Sequence, residues 1–83
     1  MDVAKIEEGM SIRTHERLGS TAGMMVHRSY LDARRAGEKG KLLTWVPGHG
    51  GDLWLIEHED GRRAVYCYME FFVEGAWTNK GSK

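Results

Sequence analysis

Short apolar runs separated by glycines dominate the hydrophobic pattern of this chain. Residues 9–14 alternate apolar and polar side chains, which predicts a half-buried first strand. Residues 41–46, 53–58 and 63–68 are rich in apolar and β-favouring side chains, and they predict three consecutive strands. Residues 69–73 predict a short turn of helix that leads into a closing strand. The pattern therefore predicts a mainly β domain of about five strands.

Two turn sequences support an antiparallel meander of the three central strands. Pro47-Gly48 follows the first of these runs and suits the central positions of a type II turn. Asp60-Gly61 separates the other two, and this pair favours a tight β-hairpin. The three strands are therefore expected to lie next to one another in chain order.

The long arm between the first two strands, residues 15–39, has a mixed pattern. Ser29 is a suitable helix cap and Gly37 a suitable stop, so a helix is predicted over about 29–36. Residues 21–28 fit a helical spacing and a strand equally well, and both alternatives stay open. The predicted class is thus α+β with a large excess of β structure.

Chain length and cysteine usage limit the possibilities further. The chain has 83 residues, which predicts one domain over 1–83 with a core at about 9–75 and a tail at 76–83. The single Cys67 excludes an internal disulfide and suits a reducing compartment, and no signal peptide is visible, so we expect a cytoplasmic protein. No apolar run approaches the roughly 18 residues that cross a bilayer, so no membrane association is expected.

Charge is balanced over the whole chain but not along it. Twelve basic and twelve acidic residues cancel, which argues against a general polyanion binder. Residues 13–41 nevertheless carry seven basic and three acidic side chains, whereas residues 42–79 carry two basic and six acidic ones. Nucleic-acid binding is an alternative function if the fold gathers the basic side chains on one face. These side chains are Arg28, Arg34, Arg35, Lys39 and Lys41.

Residues 9–73 resemble an SH3-like barrel. The similarity consists of a leading glycine and strand, a glycine-led second strand, a tryptophan in a third, an Asp-Gly turn and an aromatic strand. The segments that carry it are Gly9-Met10, Gly40-Lys41-Leu42-Leu43, Leu53-Trp54-Leu55-Ile56, Asp60-Gly61 and Tyr66-Cys67-Tyr68-Met69-Glu70-Phe71. This pattern is similar to Tudor-like and KOW-like modules, and it implies an antiparallel barrel with a short helix in the arm. Such barrels host many unrelated functions, so the resemblance does not specify a ligand.

A narrower resemblance is to the type II, trimethoprim-resistant dihydrofolate reductases. Those barrels share one active site at the centre of a tetramer, built from a Val-Gln-Ile-Tyr strand after a glycine turn. This chain has Arg63-Ala64-Val65-Tyr66 after Gly61 in that register. Ala64 replaces the glutamine and offers no donor or acceptor, so neither reductase chemistry nor its cofactor is expected. Short barrels of this kind also resemble the products of bacterial integron gene cassettes.

The segment from Pro47 to Asp52 is the first candidate for a functional site. Three glycines surround His49, which is more than a turn requires, and small residues let backbone N–H groups approach a ligand. Nearby aromatic side chains either fill the barrel or form a surface for a cation. The predicted ligand-binding residues are His49, Asp52, Trp45, Trp54, Tyr66 and Tyr68.

Other reactive side chains carry weaker signals. The four histidines and Cys67 lack the spacing of a zinc site, so neither a metal nor another cofactor is predicted. His58 is expected to face solvent at the end of a strand. Cys67 lies between two tyrosines in a β-run, and it is expected to be a small apolar core residue rather than a nucleophile. No catalytic residue is predicted, and enzymatic activity stays open.

The central strands have apolar side chains on both faces. Residues 42–46 and 53–56 place bulky groups on each side, so something must cover the second face. Either the arm or a second subunit can do so, and a homo-oligomer, a dimer or tetramer, is the preferred prediction. The leading hypothesis is a small module that binds a protein or small-molecule partner. A pocket or enzyme site shared between subunits and a purely structural accessory subunit are the alternatives.

Overall fold

A computed structural model describes residues 8–47 and 52–76. These residues form five strands, one short α-helix and one turn of 3₁₀ helix. The elements are β1 Met10–Thr14, α1 Arg28–Asp32, β2 Lys39–Trp45, β3 Leu53–His58, β4 Arg63–Cys67, the 3₁₀ helix Tyr68–Glu70 and β5 Phe71–Ala76. The predicted mainly β fold with five antiparallel strands and one short helix is confirmed. Gly48 of the predicted type II turn and most of the predicted tail lie outside the described residues.

All five strands belong to one antiparallel sheet, in the order β4-β3-β2-β1-β5. The predicted hairpin between β3 and β4 is present at Asp60-Gly61. Gly61 has φ +91°, a backbone conformation that residues with a Cβ rarely adopt. Its N–H donates to the carbonyl of His58 at 2.9 Å. The meander of β2, β3 and β4 is therefore confirmed.

The two edge strands of the sheet are joined by only a short turn. In a flat sheet, four strand spacings would separate β4 from β5 by about 19 Å. Cys67 and Phe71 bound the 3₁₀ turn, and four residues of fully extended chain reach at most about 14 Å. The sheet must therefore curl. Register shifts at Leu43 in β2 and Glu74 in β5 mark bulges, which bend and twist strands locally.

The core lies on one face of this curled sheet. Its buried members are Ile12, Leu42, Ile56, Ala64, Tyr66 and Phe71. Gly40 sits opposite both Ile12 and His58, and a Cβ there would approach Cγ2 of Ile56 to 2.5 Å. Glycine is thus required at this position because three strands meet closely.

The helix is shorter than the sequence predicts. It spans Arg28–Asp32 rather than about 29–36, and His27 instead of Ser29 is its N-cap, with Nδ1 accepting the N–H of Ser29 at 3.1 Å. The chain leaves the helix before Arg34 because that side chain and the next backbone group bind the sheet. Of the open segment 21–28, residues 21–27 form neither strand nor helix, and only Arg28 is helical, as the first residue of α1.

The arm folds back onto its own sheet. The hydroxyl of Thr14 donates to the carbonyl of Arg35 at 2.7 Å and accepts the N–H of Glu38 at 2.8 Å, which ties the two ends of the arm together. Helix α1 packs against β4. Leu53 and Val65 lie on the face opposite the core cluster and are buried within this one chain. Part of the second face is therefore covered without a second subunit.

Candidate functional site

Three aromatic side chains form a row across β2, β3 and β4. Trp45 is the register partner of Trp54, and Trp54 is the partner of Tyr66. Opposed residues of antiparallel strands point to the same face, so the three side chains share the core face of the sheet. Exposure falls along the row, from 44% at Trp45 through half-buried Trp54 to fully buried Tyr66. The row therefore runs from solvent into the core.

The bulge in β2 is what places Trp45 in this row. Leu42 pairs with Ile56 on the core face, but the extra residue Leu43 shifts the register so that Trp45 pairs with Trp54. Without the bulge, strict alternation would put Trp45 on the opposite face from Leu42. The position of the exposed tryptophan thus depends on one inserted residue.

Tyr68 and Asp52 complete the same end of the sheet. The N–H of Tyr68 donates to the carbonyl of Asp52 at 2.7 Å, which holds the 3₁₀ turn against the start of β3. Tyr68 is half-buried against the core, and Asp52 is exposed. We call the four residues Trp45, Trp54, Tyr68 and Asp52 the aromatic end. His49, which is also predicted to bind ligand, lies outside the described residues.

The aromatic end leaves one polar group unpaired. Nε1 of Trp54 is buried and has no hydrogen-bond partner within residues 8–47 and 52–76. Buried indole N–H groups normally find an acceptor, and leaving one unpaired costs stability. Among the described residues, the Trp54 N–H is therefore a buried donor without an acceptor.

Acidic groups lie near the aromatic end. Besides Asp52, Glu8 lies there, because the next residue, Gly9, donates its N–H to the carbonyl of Leu42 at 2.7 Å. Lys39 begins β2 and is about 20 Å from Trp45 along the strand. Two acidic residues therefore lie on this side of the sheet, and the basic Lys41 lies about 13 Å from Trp45 along β2.

The basic residues proposed for nucleic-acid binding are spread over several elements. Arg28 lies on α1, where its side chain is 88% exposed and 3.7 Å from Asp32. Arg35 is exposed in the arm, and Lys39 and Lys41 lie on β2. Arg34 is only 5% exposed and points into the protein. One of the five is thus committed to an internal contact.

That internal contact is a bidentate ion pair between Arg34 and Glu70. Its two bonds measure 2.8 Å from Nη1 to Oε1 and 2.7 Å from Nη2 to Oε2. Arg34 also donates to the carbonyls of Val65 at 2.9 Å and Gly19 at 3.2 Å. Both charged side chains are over nine-tenths buried, at 5% and 8% exposure. The pair fastens the arm to the edge strand β4 and to the 3₁₀ turn.

Glu70 is held in its ionised form by this arrangement. Burial raises the pKa of Glu70, but hydrogen bonds from Arg34 and from the N–H groups of Cys67 and Gly19 lower it more strongly. The net pKa lies below the ordinary value of a glutamate. The carboxylate is therefore a fixed negative charge under neutral conditions, matched to the guanidinium.

His58 is buried beside the same contact, so the prediction that it faces solvent is wrong. It is 4% exposed because it alternates onto the core face with Ile56. Its Nε2 is 2.6 Å from the hydroxyl of Tyr66, and its Nδ1 is 3.0 Å from the carbonyl of Lys39. We call the set of Arg34, Glu70, His58 and Tyr66 the arm junction.

Cys67 also differs from its prediction. It pairs with Leu53 on the face opposite the core cluster, and it is half-buried rather than a core residue. Its backbone N–H serves the arm junction by donating to Oε1 of Glu70 at 2.9 Å. The arm junction itself was missed from the sequence, since Arg34 and Glu70 are 36 residues apart.

The described residues form neither a metal-binding cluster nor a membrane-spanning helix. Within 8–47 and 52–76, no three His, Cys, Asp or Glu side chains converge closely enough to hold a metal ion. No helix in these same ranges has the length and apolar character to span a membrane.

Models of known protein families, characterised proteins and solved structures were also compared with the chain, and none of them matches.

Proposed function

We propose that this chain is a binding module that holds a cationic group of a protein or peptide partner at the aromatic end. The observation that carries the proposal is the row of Trp45 and Trp54 on one face, open to solvent at Trp45. Trp45 is 44% exposed and lies beside half-buried Trp54, so the two indoles form an aromatic surface of the kind that is enriched at protein interfaces.

The chemistry of the aromatic end suits a cation better than an anion. An ammonium or guanidinium group over an indole ring gains about 0.5–1 kcal/mol when exposed and about 2 kcal/mol or more when desolvated. Asp52 adds an opposite charge from the edge of the site. Such a site binds one side chain of a larger partner, and neighbouring contacts supply the rest of the affinity.

We further infer that the five strands close into an SH3-like barrel. Three observations support this: the strand order, the short 3₁₀ connection between the two edge strands, and the bulges that bend β2 and β5. In such a barrel the aromatic end lies at the mouth, which is where small barrels most often bind ligands.

A matched pair of small molecules tests the proposal. Choline carries a trimethylammonium group, whereas 3,3-dimethyl-1-butanol has the same shape with a neutral carbon in place of nitrogen. We expect choline to shift the indole N–H signals of Trp45 and Trp54 in NMR spectra, and the neutral analogue to leave them in place. Equal shifts with both molecules would show that the site recognises apolar shape instead of charge.

Two single substitutions locate the site. Trp45→Ala removes the open end of the row and should abolish the response to choline. Phe72→Ala is the matched control, because Phe72 is equally exposed at 43% but lies on β5. Loss of choline binding in the Phe72 variant, or its survival in the Trp45 variant, would place the binding surface elsewhere on the molecule.

A further inference from the structure

The hydrogen bonds of His58 fix the positions of its protons. The carbonyl of Lys39 can only accept, so Nδ1 of neutral His58, 3.0 Å away, carries the hydrogen. Nε2 is then bare and accepts the hydroxyl proton of Tyr66 at 2.6 Å. The hydroxyl oxygen in turn accepts the N–H of Arg35 at 2.6 Å. With neutral His58, each of these hydrogen-bonding groups of His58, Tyr66 and Arg35 therefore has a partner.

A second arrangement of the same groups is also complete. When His58 gains a proton, Nε2 becomes a donor and points its hydrogen at the oxygen of Tyr66. The hydroxyl proton must then leave that line, and the carbonyl of Arg35 lies 3.3 Å away as an acceptor with acceptable geometry. The contact between the arm and β4 therefore persists: the N–H of Arg35 still donates to the hydroxyl oxygen of Tyr66, and only the bond between His58 and Tyr66 changes direction.

We propose that His58, Tyr66 and the backbone of Arg35 form a proton-tolerant joint: protonation of His58 reverses its hydrogen bond with Tyr66, the Tyr66 hydroxyl turns to the carbonyl of Arg35, and the arm stays docked. A buried histidine normally makes a fold acid-sensitive, because protonation leaves a charged ring away from water with an unmatched donor. Here Tyr66 takes up the change by rotating one hydroxyl. This inference does not rest on the proposed function.

The charged groups around the joint come from each element packed against it. From the arm, the guanidinium of Arg34 lies 5.1 Å from the centre of the Tyr66 ring, and Glu38 acts on the same hydroxyl with opposite sign. Glu70 of the 3₁₀ turn balances Arg34. Lys39 of β2 contributes its backbone carbonyl. Burial raises the pKa of Tyr66, so its hydroxyl keeps its proton. This hydroxyl group can therefore rotate between its two acceptors, Nε2 of His58 and the carbonyl of Arg35.

NMR on the unmodified protein tests the joint directly. Histidine charge generally changes between about pH 5 and 8, and the titration is followed over that range. We expect neutral His58 to be the Nδ1–H tautomer in long-range nitrogen–proton spectra. The amide signals of Arg35 and Ala36 should then titrate with the same midpoint as the His58 ring, whereas the amide of Gly19, bound to Glu70, should stay in place.

Three results would overturn the inference. The first is an Nε2–H tautomer of neutral His58. The second is a His58 ring that does not titrate while the protein stays folded, and the third is amide signals of Arg35 and Ala36 that do not change as His58 titrates.

Two variants sharpen the test. In Tyr66→Phe the Nε2–H of a protonated His58 has no acceptor, so acid should unfold this variant at a higher pH than the parent protein; equal acid stability of the two would contradict the joint. His58→Gln keeps polar atoms at this position but removes the titrating ring. The amide chemical shifts of Arg35 and Ala36 should then stay constant across the pH range; if they still change, the signal comes from another group.

Discussion

The arm junction and the aromatic end differ in how completely their polar groups are paired. At the arm junction, two buried charges and two buried rings all have close partners, from Arg34 and Glu70 to His58 and Tyr66. At the aromatic end, an exposed tryptophan lies beside one whose buried N–H has no partner in the described part of the chain. The polar groups of the arm junction are thus paired within the chain, whereas the Trp54 N–H of the aromatic end is unpaired among residues 8–47 and 52–76.

This contrast separates a structural role from a binding role. Buried polar groups that all have partners hold a chain in one arrangement. The arm depends on such contacts because it contains only one turn and a half of helix. Exposed aromatic surface adds little to a fold but much to recognition. We therefore expect substitutions at the arm junction to affect stability, and substitutions at the aromatic end to affect binding.

The largest expected effect is the loss of the buried ion pair. Arg34→Ala leaves the carboxylate of Glu70 buried without its partner, and breaking such a pair costs about 3–5 kcal/mol. Urea unfolding should show a much lower midpoint than in the parent protein. Arg28→Ala is the matched control, because its contact with Asp32 is exposed and contributes at most about 0.5 kcal/mol. Similar losses in the two variants would mean that the junction does not hold the fold.

A smaller effect is expected from acid. The pKa of Glu70 is lowered in the folded protein from an ordinary value of 4.5. A depressed carboxyl pKa adds stability above the unfolded pKa and loses it as the pH falls through the folded one. The free energy of unfolding should therefore decline below about pH 4.5, as measured by thermal unfolding at a series of pH values. Glu70→Gln should be less stable at neutral pH and lack this part of the decline; an identical acid slope would assign it to other carboxyls.

The smallest effect on stability is expected at the open end. Trp45→Ala removes a side chain that is already 44% exposed, so the free energy of unfolding should change by less than about 1 kcal/mol. Circular dichroism and urea unfolding measure this on the same samples used for choline titration. A loss as large as that of Arg34→Ala would make Trp45 a core residue and would weaken the proposed binding role.

Local sequence signals predicted the elements of the sheet well. The Asp60-Gly61 turn needs only two residues with special backbone preferences, and the runs on either side are rich in β-favouring residues, whose side chains alternate between the two faces of a strand. Their strands therefore appear within a residue of the predicted bounds. The same alternation places Ile56 and His58 on one face, and the error about His58 came from treating a strand end as exposed.

The site depends on features that a linear pattern does not contain. The bulge at Leu43 has no sequence mark, yet it decides which face Trp45 occupies. The helix was expected to continue through Arg34, but the ion pair with Glu70 outweighs the small intrinsic preference of a few residues for helix. Contacts between distant parts of the chain override local preference at both places.

The strand order also sets the entropy of chain closure. β2, β3 and β4 meet through short connections, but β1 must find β5, and the side chains of Arg13 and Glu74 that pair there are 61 residues apart. Loop closure grows costlier with length, so the β1–β5 ladder is the least local strand pairing in the described part of the chain. The edge strand β5 is thus attached through the pairing that the chain has most difficulty in reaching, and the arm lies between β1 and β5 along the sequence.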